Sequence, residues 1–230
     1  MLPSVSPTVL TGRVAPLGPK GHTSGIAKAA AAPPWQITHT GITGDAQADL
    51  AHHGGPEKAL HHYAFEHYAG YWRNEIGPHP LLDAPGAFGE NLSTLGWTED
   101  TVHVGDIVAF GSARLQVSQG RQPCWKLNVR FGLDRIAFRT QASGRTGWYY
   151  RVLETGTADA GSRLVLLERP QPEWPLSRLS RLLYRDRDRY DELQAMADLP
   201  ELASGWRKLA RRRIETRQTE SWTERLDGPA

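Results

Sequence analysis

The first part of the chain alternates short apolar runs with turn residues, a pattern typical of short β-strands. Residues 103–119 contain two β-type runs joined at Gly111-Ser112, which predicts a hairpin. Residues 161–170 predict a further strand, and 7–18 show a weaker alternation. Several short strands separated by turns favour a closed or sandwich-like β domain over a parallel βαβ array.

Two segments with helical spacing interrupt this β pattern. Residues 56–76 place Leu60, Tyr63 and His67 three and four positions apart, which predicts a helix that begins near a proline. Residues 133–144 predict a second helix, which ends at a glycine. The first part of the chain is therefore expected to be mainly β with peripheral helices.

The pattern changes after residue 170, where apolar residues recur at helical spacing. Three short amphipathic helices are predicted, at 175–186, 188–200 and 201–215. The last residues are polar, without a clear period, and predict a loose tail. We therefore divide the chain into a β domain at 1–170, a three-helix module at 171–216 and a tail at 217–230.

Composition excludes several broad classes of protein. The 230 residues carry a formal net charge of +2, so no global field attracts nucleic acid or an anionic membrane. The basic run 210–213 reads better as a solvated helix face than as a nucleic-acid contact. No apolar run approaches the ~20 residues of a membrane span, and the first residues do not resemble a secretory signal. With one cysteine the chain forms no internal disulfide, so we expect a cytoplasmic protein.

Cys124 is the leading candidate for chemistry. It follows a predicted strand and a Gly-Arg-Gln-Pro turn, and it lies within three residues of Arg121 and Lys126. Nearby cations favour the thiolate, the form that binds metals or attacks electrophiles. The alternative is an inert buried thiol, which is what most free cysteines are. The local sequence leaves both interpretations open.

Histidines form a second cluster, because five of the nine lie between 52 and 67. Imidazole is a common zinc ligand, so a zinc hydrolase is one hypothesis. The spacing is poor for a single zinc site, and no HExxH or paired-cysteine motif is present. Most of these histidines are therefore expected at the surface or behind a site. Glycine-rich turns at 52–56 and 86–92 allow backbone amides to approach an anion, although ordinary tight turns have the same composition.

Four blocks, taken together and in order, closely resemble the MOSC family, the molybdenum cofactor sulfurase C-terminal domain. They are GITGDAQADLAHHGGPEKALHHY at 41–63, GAFGENLST at 86–94, VHVGDIVAFGSARLQVSQGRQPCWKLN at 102–128 and GRTGWYYRVL at 144–153. The resemblance covers about residues 8–168 and is closest to the stand-alone bacterial YiiM-like branch. In that branch a "3-alpha" module follows the MOSC domain, and the later helices resemble it.

The resemblance implies a MOSC-type β-barrel with peripheral helices that binds a molybdopterin-type molybdenum cofactor. Cys124 matches the family's cysteine, which implies that its thiolate is the protein ligand to molybdenum and a catalytic group. His53 matches the family's HGG block and is the second catalytic candidate. The remaining cofactor-binding candidates are Arg121, Lys126, Asn128, Glu90, Asn91, Lys28 and Arg145.

The family's activity, as the resemblance implies it, is the reduction of N-hydroxylated compounds such as N-hydroxylaminopurines and amidoximes, with a role in detoxifying base analogues. The chain has no cysteine cluster for iron–sulfur and no flavin or nicotinamide motif, so a separate reductase is expected to supply electrons. The alternative is a non-catalytic cofactor carrier or sulfur-transfer module. The chain lacks a pyridoxal-phosphate domain that would generate the sulfur.

Overall fold

The computed structural model describes residues 2–49 and 54–229. The strands within them are β1 (Thr8–Thr11), β2 (Ala15–Leu17), β3 (His22–Ser24), β4 (Ala29–Ala30), β5 (Trp35–Thr38), β6 (Gly41–Ile42), β7 (Leu60–Ala64), β8 (Leu92–Thr94), β9 (Ile107–Phe110), β10 (Ala113–Gly120), β11 (Trp148–Glu154), β12 (Gly156–Ala158) and β13 (Leu164–Glu168). The α-helices are α1 (Arg73–Ile76), α2 (Lys126–Phe131), α3 (Ile136–Ser143), α4 (Leu176–Tyr184), α5 (Tyr190–Ala197), α6 (Ser204–Thr216) and α7 (Thr223–Asp227). Short 3-10 turns cover Pro56–Lys58 and Pro80–Leu82, and a π-helical turn covers Tyr68–Trp72.

A large curled mixed sheet, a half-barrel, organises the molecule and confirms the mainly β fold with peripheral helices. Its eight strands follow the order β13-β9-β10-β11-β7-β8-β1-β4. Neighbouring strands are antiparallel except β7 and β8, which run parallel. Val5, just before β1, forms an isolated antiparallel bridge with Leu164 of β13, and this bridge links two distant parts of the curl.

Several predicted elements are confirmed. Strands β9 and β10 pair with Phe110 opposite Ala113, so Gly111-Ser112 is the two-residue turn of the predicted hairpin. Gly111 has φ +60°, and a side chain there would be strained. Strand β13 lies within 161–170, α3 lies within 133–144, and α4 to α6 match the three predicted helices.

The predicted helix over 56–76 is wrong for its first half. A 3-10 turn at Pro56–Lys58 is followed by strand β7 at Leu60–Ala64, and the α- and π-helical part begins only at Glu66 and continues to the end of α1. Strand β7 lies between β11 and β8 in the middle of the sheet, and all five of its residues are buried. A strand covered on both faces loses the alternation that identifies it, so its spacing imitates a helix.

The three-helix module packs directly on the sheet. Leu179, Leu183 and Trp206 belong to the same core of buried side chains as Val117 of β10. The amide of Ala203, just before α6, donates to the carbonyl of Ser118 at 2.8 Å. The module therefore supports the end of β10, the strand that leads to Cys124.

The predicted loose tail over 217–230 is wrong for its described part. Helix α7 forms there, and Leu226 is only 5% exposed. The Asn128 side chain donates to the Leu226 carbonyl at 2.9 Å, so the segment is attached to the β domain. Polar composition concealed this because the segment is held by one buried leucine and by hydrogen bonds of polar side chains, among them Asn128 and Arg225.

Within 2–49 and 54–229, no helix has the length and apolar character needed to cross a membrane.

Candidate functional site

Strand β10 ends at Gly120, and the turn that follows presents Cys124 to a pocket before α2 begins. Cys124 is 8% exposed and lies in the pocket wall. The pocket holds about 70 Å³ and opens to solvent, so it fits the end of a ligand rather than a whole cofactor. We call it the cationic pocket because its wall includes Lys28, Lys58, Arg121 and Lys126.

Arg121 is the most informative cation in this pocket. It is 6% exposed, and its Nη1 is buried without a hydrogen-bond partner among the described residues. A buried guanidinium with an unused donor is costly, so it marks a place where an anionic ligand would be stabilised. The other cations are held differently: Lys28 pairs with Asp45, and Lys126 donates to the Thr23 carbonyl at 3.3 Å.

Burial tunes the lysines of the pocket. It lowers the pKa of Lys28, and the nearby carboxylate of Asp45 opposes that effect. It also lowers the pKa of Lys58, where Asp49 and Cys124 act in the opposite direction. Negative charge beside these ammonium groups therefore favours their charged form.

Two glycines let the backbone form part of the pocket wall. A Cβ at Gly25 would lie 1.9 Å from the Ala46 carbonyl oxygen, so no larger residue fits there. Gly89 has φ +76°, and a Cβ there would lie 2.8 Å from the Ile26 side chain. Glu90 lies behind this loop and shapes it, because its carboxylate accepts from the Gly86 amide at 2.7 Å.

Asn91 fixes the opposite side of the pocket. Its Oδ1 accepts from the His61 amide at 3.1 Å, and its Nδ2 donates to Asp45 Oδ2 at 2.8 Å. Asp45 in turn pairs with Lys28 and accepts from the Gly12 amide at 2.8 Å. One buried network therefore sets both the backbone of β7 and the position of a pocket cation.

Two pocket residues, His61 and Tyr149, were missed by sequence reasoning. They are direct partners across β7 and β11, and their rings lie 5.1 Å apart. Burial, reinforced by Arg121, holds the pKa of His61 well below its usual value, so this imidazole is neutral. Burial raises the pKa of Tyr149, so its phenol keeps its proton. Assigning β7 as a strand paired with the GWYY block would have brought both residues to the site.

The structure separates the candidates from sequence into three groups. Cys124, Arg121, Lys126, Lys28 and Asn91 all line the cationic pocket. Glu90, Asn128 and Arg145 do not line it: Asn128 accepts from the Ala137 amide at 2.8 Å, and the Arg145 guanidinium stacks 4.3 Å from the Tyr71 ring. His53 lies outside the described residues.

The described histidines of the 52–67 cluster have separate partners. His62 is bonded to Tyr150 at 3.0 Å and Thr94 at 2.8 Å, and His67 contacts Glu99 at 2.7 Å. No group of three or more His, Cys, Asp or Glu residues within the described ranges is placed to hold a metal ion. Most of these histidines were expected at the surface or behind a site; His61 instead lines the pocket, and His62 is buried beside it in β7.

A second cavity, the outer chamber, meets the cationic pocket at Cys124. It holds about 460 Å³, and the two cavities share Asp49, Lys58, Cys124 and Tyr149. The rest of the chamber wall consists of Gln119, Gln122, Trp125, Ser221, Glu224, Arg225 and Pro229. The thiol therefore lies between a small cation-rich pocket and a larger chamber of mixed polarity.

Two family models match this chain. The MOSC domain matches residues 49–165, and the YiiM-like, 3-alpha helix domain matches 174–217. Protein YiiM of Escherichia coli is 37% identical over 223 residues, which cover 96% of this chain and 97% of that protein. A protein named Reductase from Gibberella moniliformis is 42% identical over 164 residues, which are 71% of this chain but 28% of the fungal one.

A solved structure shows the same fold. The crystal structure of YiiM from Escherichia coli superposes with a TM-score of 0.83 at 30% sequence identity, covering 97% of this chain and 98% of that one. The match extends over the sheet and the helical module together.

Proposed function

The chain belongs to the MOSC domain family, and on that premise we propose that it is a molybdenum-dependent oxidoreductase that reduces N-hydroxylated compounds. One observation carries the proposal: the Cys124 thiol and the buried guanidinium of Arg121, whose Nη1 has no hydrogen-bond partner among the described residues, face the same pocket. A metal-binding sulfur beside an anion site is what a phosphorylated metal cofactor requires. The similarity to a protein named Reductase supports the reductive direction.

The residues present fit a molybdopterin-type cofactor. Cys124 would supply the thiolate to molybdenum, a soft ligand suited to such a metal. Arg121, Lys28 and Lys126 would bind its anionic end in the cationic pocket. The backbone at Gly25 and Gly89 would allow close approach. When bound, the cofactor supplies two-electron oxygen-atom transfer, which no side chain performs.

The protein's own groups orient the substrate and handle protons. Reduction of R–NHOH to R–NH2 and water consumes two electrons and two protons. Tyr149 keeps its proton because burial raises its pKa, so its hydroxyl is a hydrogen-bond donor beside Cys124. The neutral His61 ring packs against Tyr149 and Tyr63 rather than adding a charge. His53 remains a proposed catalytic residue on the family match alone.

Electrons would come from a separate reductase, and N-hydroxylaminopurines and amidoximes are the proposed substrates. In the fungal Reductase the matched segment is 28% of the chain, so that protein has ample length for other modules. The sequence contains no cysteine cluster for iron–sulfur and no flavin or nicotinamide motif. We therefore propose an electron-donating partner protein.

The test compares wild type with Cys124→Ser, both purified from a host that makes the cofactor. We expect molybdenum and pterin in the wild type, and reduction of N-hydroxylaminopurine with an artificial electron donor. Cys124→Ser should lose turnover and most of the metal while keeping its thermal unfolding midpoint. Equal molybdenum in both proteins would contradict the proposed ligand. A Cys124 persulfide, with cofactor passed to an acceptor enzyme and no turnover, would support the carrier alternative instead.

A further inference from the structure

The C-terminal segment 221–229 lies beyond both family models, which end at 165 and 217, yet it borders the outer chamber. Ser221, Glu224, Arg225 and Pro229 all contribute to the chamber wall. The segment lies against the Trp125 ring so closely that a Cβ at Gly228 would be 3.2 Å from it. The end of the chain is therefore part of the site's architecture.

Arg225 holds the Cys124 turn from both sides. Its Nη1 donates to the Pro123 carbonyl at 2.6 Å, and its own carbonyl accepts from the Trp125 amide at 2.8 Å. Its Nη2 donates to Gln141 Oε1 at 2.6 Å, which anchors the guanidinium to α3. The peptide groups on both sides of Cys124 are thus fixed by one residue of the C-terminal segment.

The pKa of Arg225 and the charges around the two cavities agree with a place for Arg225 beside Cys124. Burial lowers the pKa of Arg225, and the charge of Cys124 opposes that effect, so the guanidinium lies within electrostatic reach of the thiolate. The charged side chains of the outer chamber are balanced, with Asp49 and Glu224 opposite Lys58 and Arg225. The cationic pocket has a clear excess of positive charge by comparison.

These observations indicate different ligands for the two cavities. An anionic cofactor end suits the cationic pocket, whereas an uncharged molecule rich in N–H and O–H donors suits the balanced chamber. Trp125 and Tyr149 provide aromatic groups for a planar substrate, and the carboxylate of Glu224 can accept hydrogen bonds. N-Hydroxylated amidines and aminopurines have this character.

We propose that residues 221–229 form the substrate-facing wall of the outer chamber, with Arg225 positioning the Cys124 turn and Glu224 accepting hydrogen bonds from the substrate. The role of Glu224 rests on the proposed function, whereas the role of Arg225 does not depend on turnover. The two parts are tested separately.

The positioning role is tested by the alkylation rate of Cys124 in the full-length protein with iodoacetamide. All variants are compared at one alkaline pH, so differences in rate between them report access to the sulfur. Arg225→Ala should raise the rate about tenfold, corresponding to an easier opening of the turn by about 1.4 kcal/mol. Arg225→Gln keeps one donor for the Pro123 carbonyl and should lie between. The matched control is Arg212→Ala, at an exposed site on α6. Equal rates in all four proteins would overturn the positioning role, as would an Arg225→Ala rate matched by the control.

The specificity role is tested by steady-state kinetics of cofactor-loaded protein with benzamidoxime and 6-N-hydroxylaminopurine. Glu224→Gln should raise KM about fivefold with little change in kcat, because it weakens hydrogen bonds to a charged acceptor. Asp227→Asn makes the same chemical change at an exposed site outside the chamber wall and should behave as wild type. An unchanged KM in Glu224→Gln would refute the substrate-facing role. Wild-type protein without turnover would instead refute the proposed function, and the alkylation rates would still decide the role of Arg225.

Discussion

The two walls that meet at Cys124 are built in different ways. The barrel wall, the part of the site contributed by residues 24–149, is held by strand pairing and by a buried network in which Asp45 accepts from Gly12, Lys28 and Asn91. The C-terminal wall, residues 221–229, contains the short helix α7 and is attached through Arg225, the buried Leu226 and a few hydrogen bonds to backbone groups. Most of its residues are exposed.

This difference separates the tasks of the two walls. A cofactor that must be kept in one geometry is served by a preorganised, buried network. A substrate that must enter and leave is better served by a wall that is attached through few contacts. Changes in the barrel wall should therefore affect stability and cofactor content, whereas changes in the C-terminal wall should affect access and KM.

The largest expected effect is in the backbone of the barrel wall. Gly25→Ala places a Cβ 1.9 Å from the Ala46 carbonyl oxygen, where backbone must move. We expect a loss of about 3 kcal/mol or more in the free energy of unfolding, measured by urea denaturation. Gly205→Ala is the control, since a Cβ there meets nothing within 4 Å on helix α6. Equal free energies of unfolding for the two variants would mean that the backbone around Gly25 moves to accommodate a Cβ at little cost.

The next effect separates cofactor binding from stability. Arg121→Met removes a buried charge whose Nη1 has no partner among the described residues. Cofactor content, measured as pterin and molybdenum per chain, should fall tenfold or more, because charge-assisted contacts to an anion are strong. The cofactor-free protein should not lose stability, and a gain of about 1 kcal/mol is expected.

Arg114→Met is the matched control for Arg121→Met. Arg114 lies on β10, the strand that ends just before Arg121, but its side chain is 49% exposed beside Glu154. This variant should keep its cofactor, because an exposed pair contributes little. If both variants lost the cofactor, the loss would follow from removing any arginine of this region, and Arg121 would not be a specific anion site.

Acid should lower the free energy of unfolding through the buried histidines of β7. Burial lowers the pKa of His62 from 6.5 to about 3, so the unfolded chain binds a proton that the folded protein excludes. Stability is therefore complete above pH 6.5 and falls as the pH decreases towards 3, by up to about 1.4 kcal/mol per pH unit. His61 acts in the same direction. Urea unfolding from pH 7 to pH 4 measures this slope, and His62→Asn should flatten it. An unchanged slope in His62→Asn would exclude His62 as its source.

The smallest effect concerns the attachment of the C-terminal wall. Asn128→Ala removes the donor to the Leu226 carbonyl and the acceptor for the Ala137 amide. A loss of about 1–2 kcal/mol is expected, together with faster tryptic cleavage in the C-terminal segment. Gln218→Ala, exposed in the same region, should leave the cleavage rate unchanged. If both variants are cleaved at the wild-type rate, the segment is held mainly by Arg225 and Leu226.

Sequence patterns located most of the fold where local rules decide it. The turn Gly111-Ser112 and the glycine that ends α3 are local features, and the structure contains both. Strand β7 was misassigned because side chains from distant parts of the chain bury both of its faces: Leu60 packs in the core cluster that contains Trp148, and Tyr63 packs in the cluster that contains Phe88. That single error also hid His61, which is paired with Tyr149 on the neighbouring strand β11.

The sequence predicted the part of the candidate site that lies in the Cys124 turn and in the segments that resemble the family. Arg121, Lys126, Lys28 and Asn91 converge on one pocket. Arg145 belongs to the same type of block, but its guanidinium stacks on Tyr71 away from that pocket. No local sequence pattern indicates the proposed role of Arg225, because this role depends on a contact between residues 102 positions apart in the chain.

The bridge between Val5 and Leu164 has a consequence for biosynthesis. The amide of each residue donates to the carbonyl of the other, at 3.1 and 2.8 Å. A growing polypeptide cannot form this pair until residue 164 has left the ribosome, so the segment before β1 must wait for a partner made much later. Such distant pairing is slow to form. Chaperones that shield unpaired strand edges should therefore raise the yield of native protein during translation.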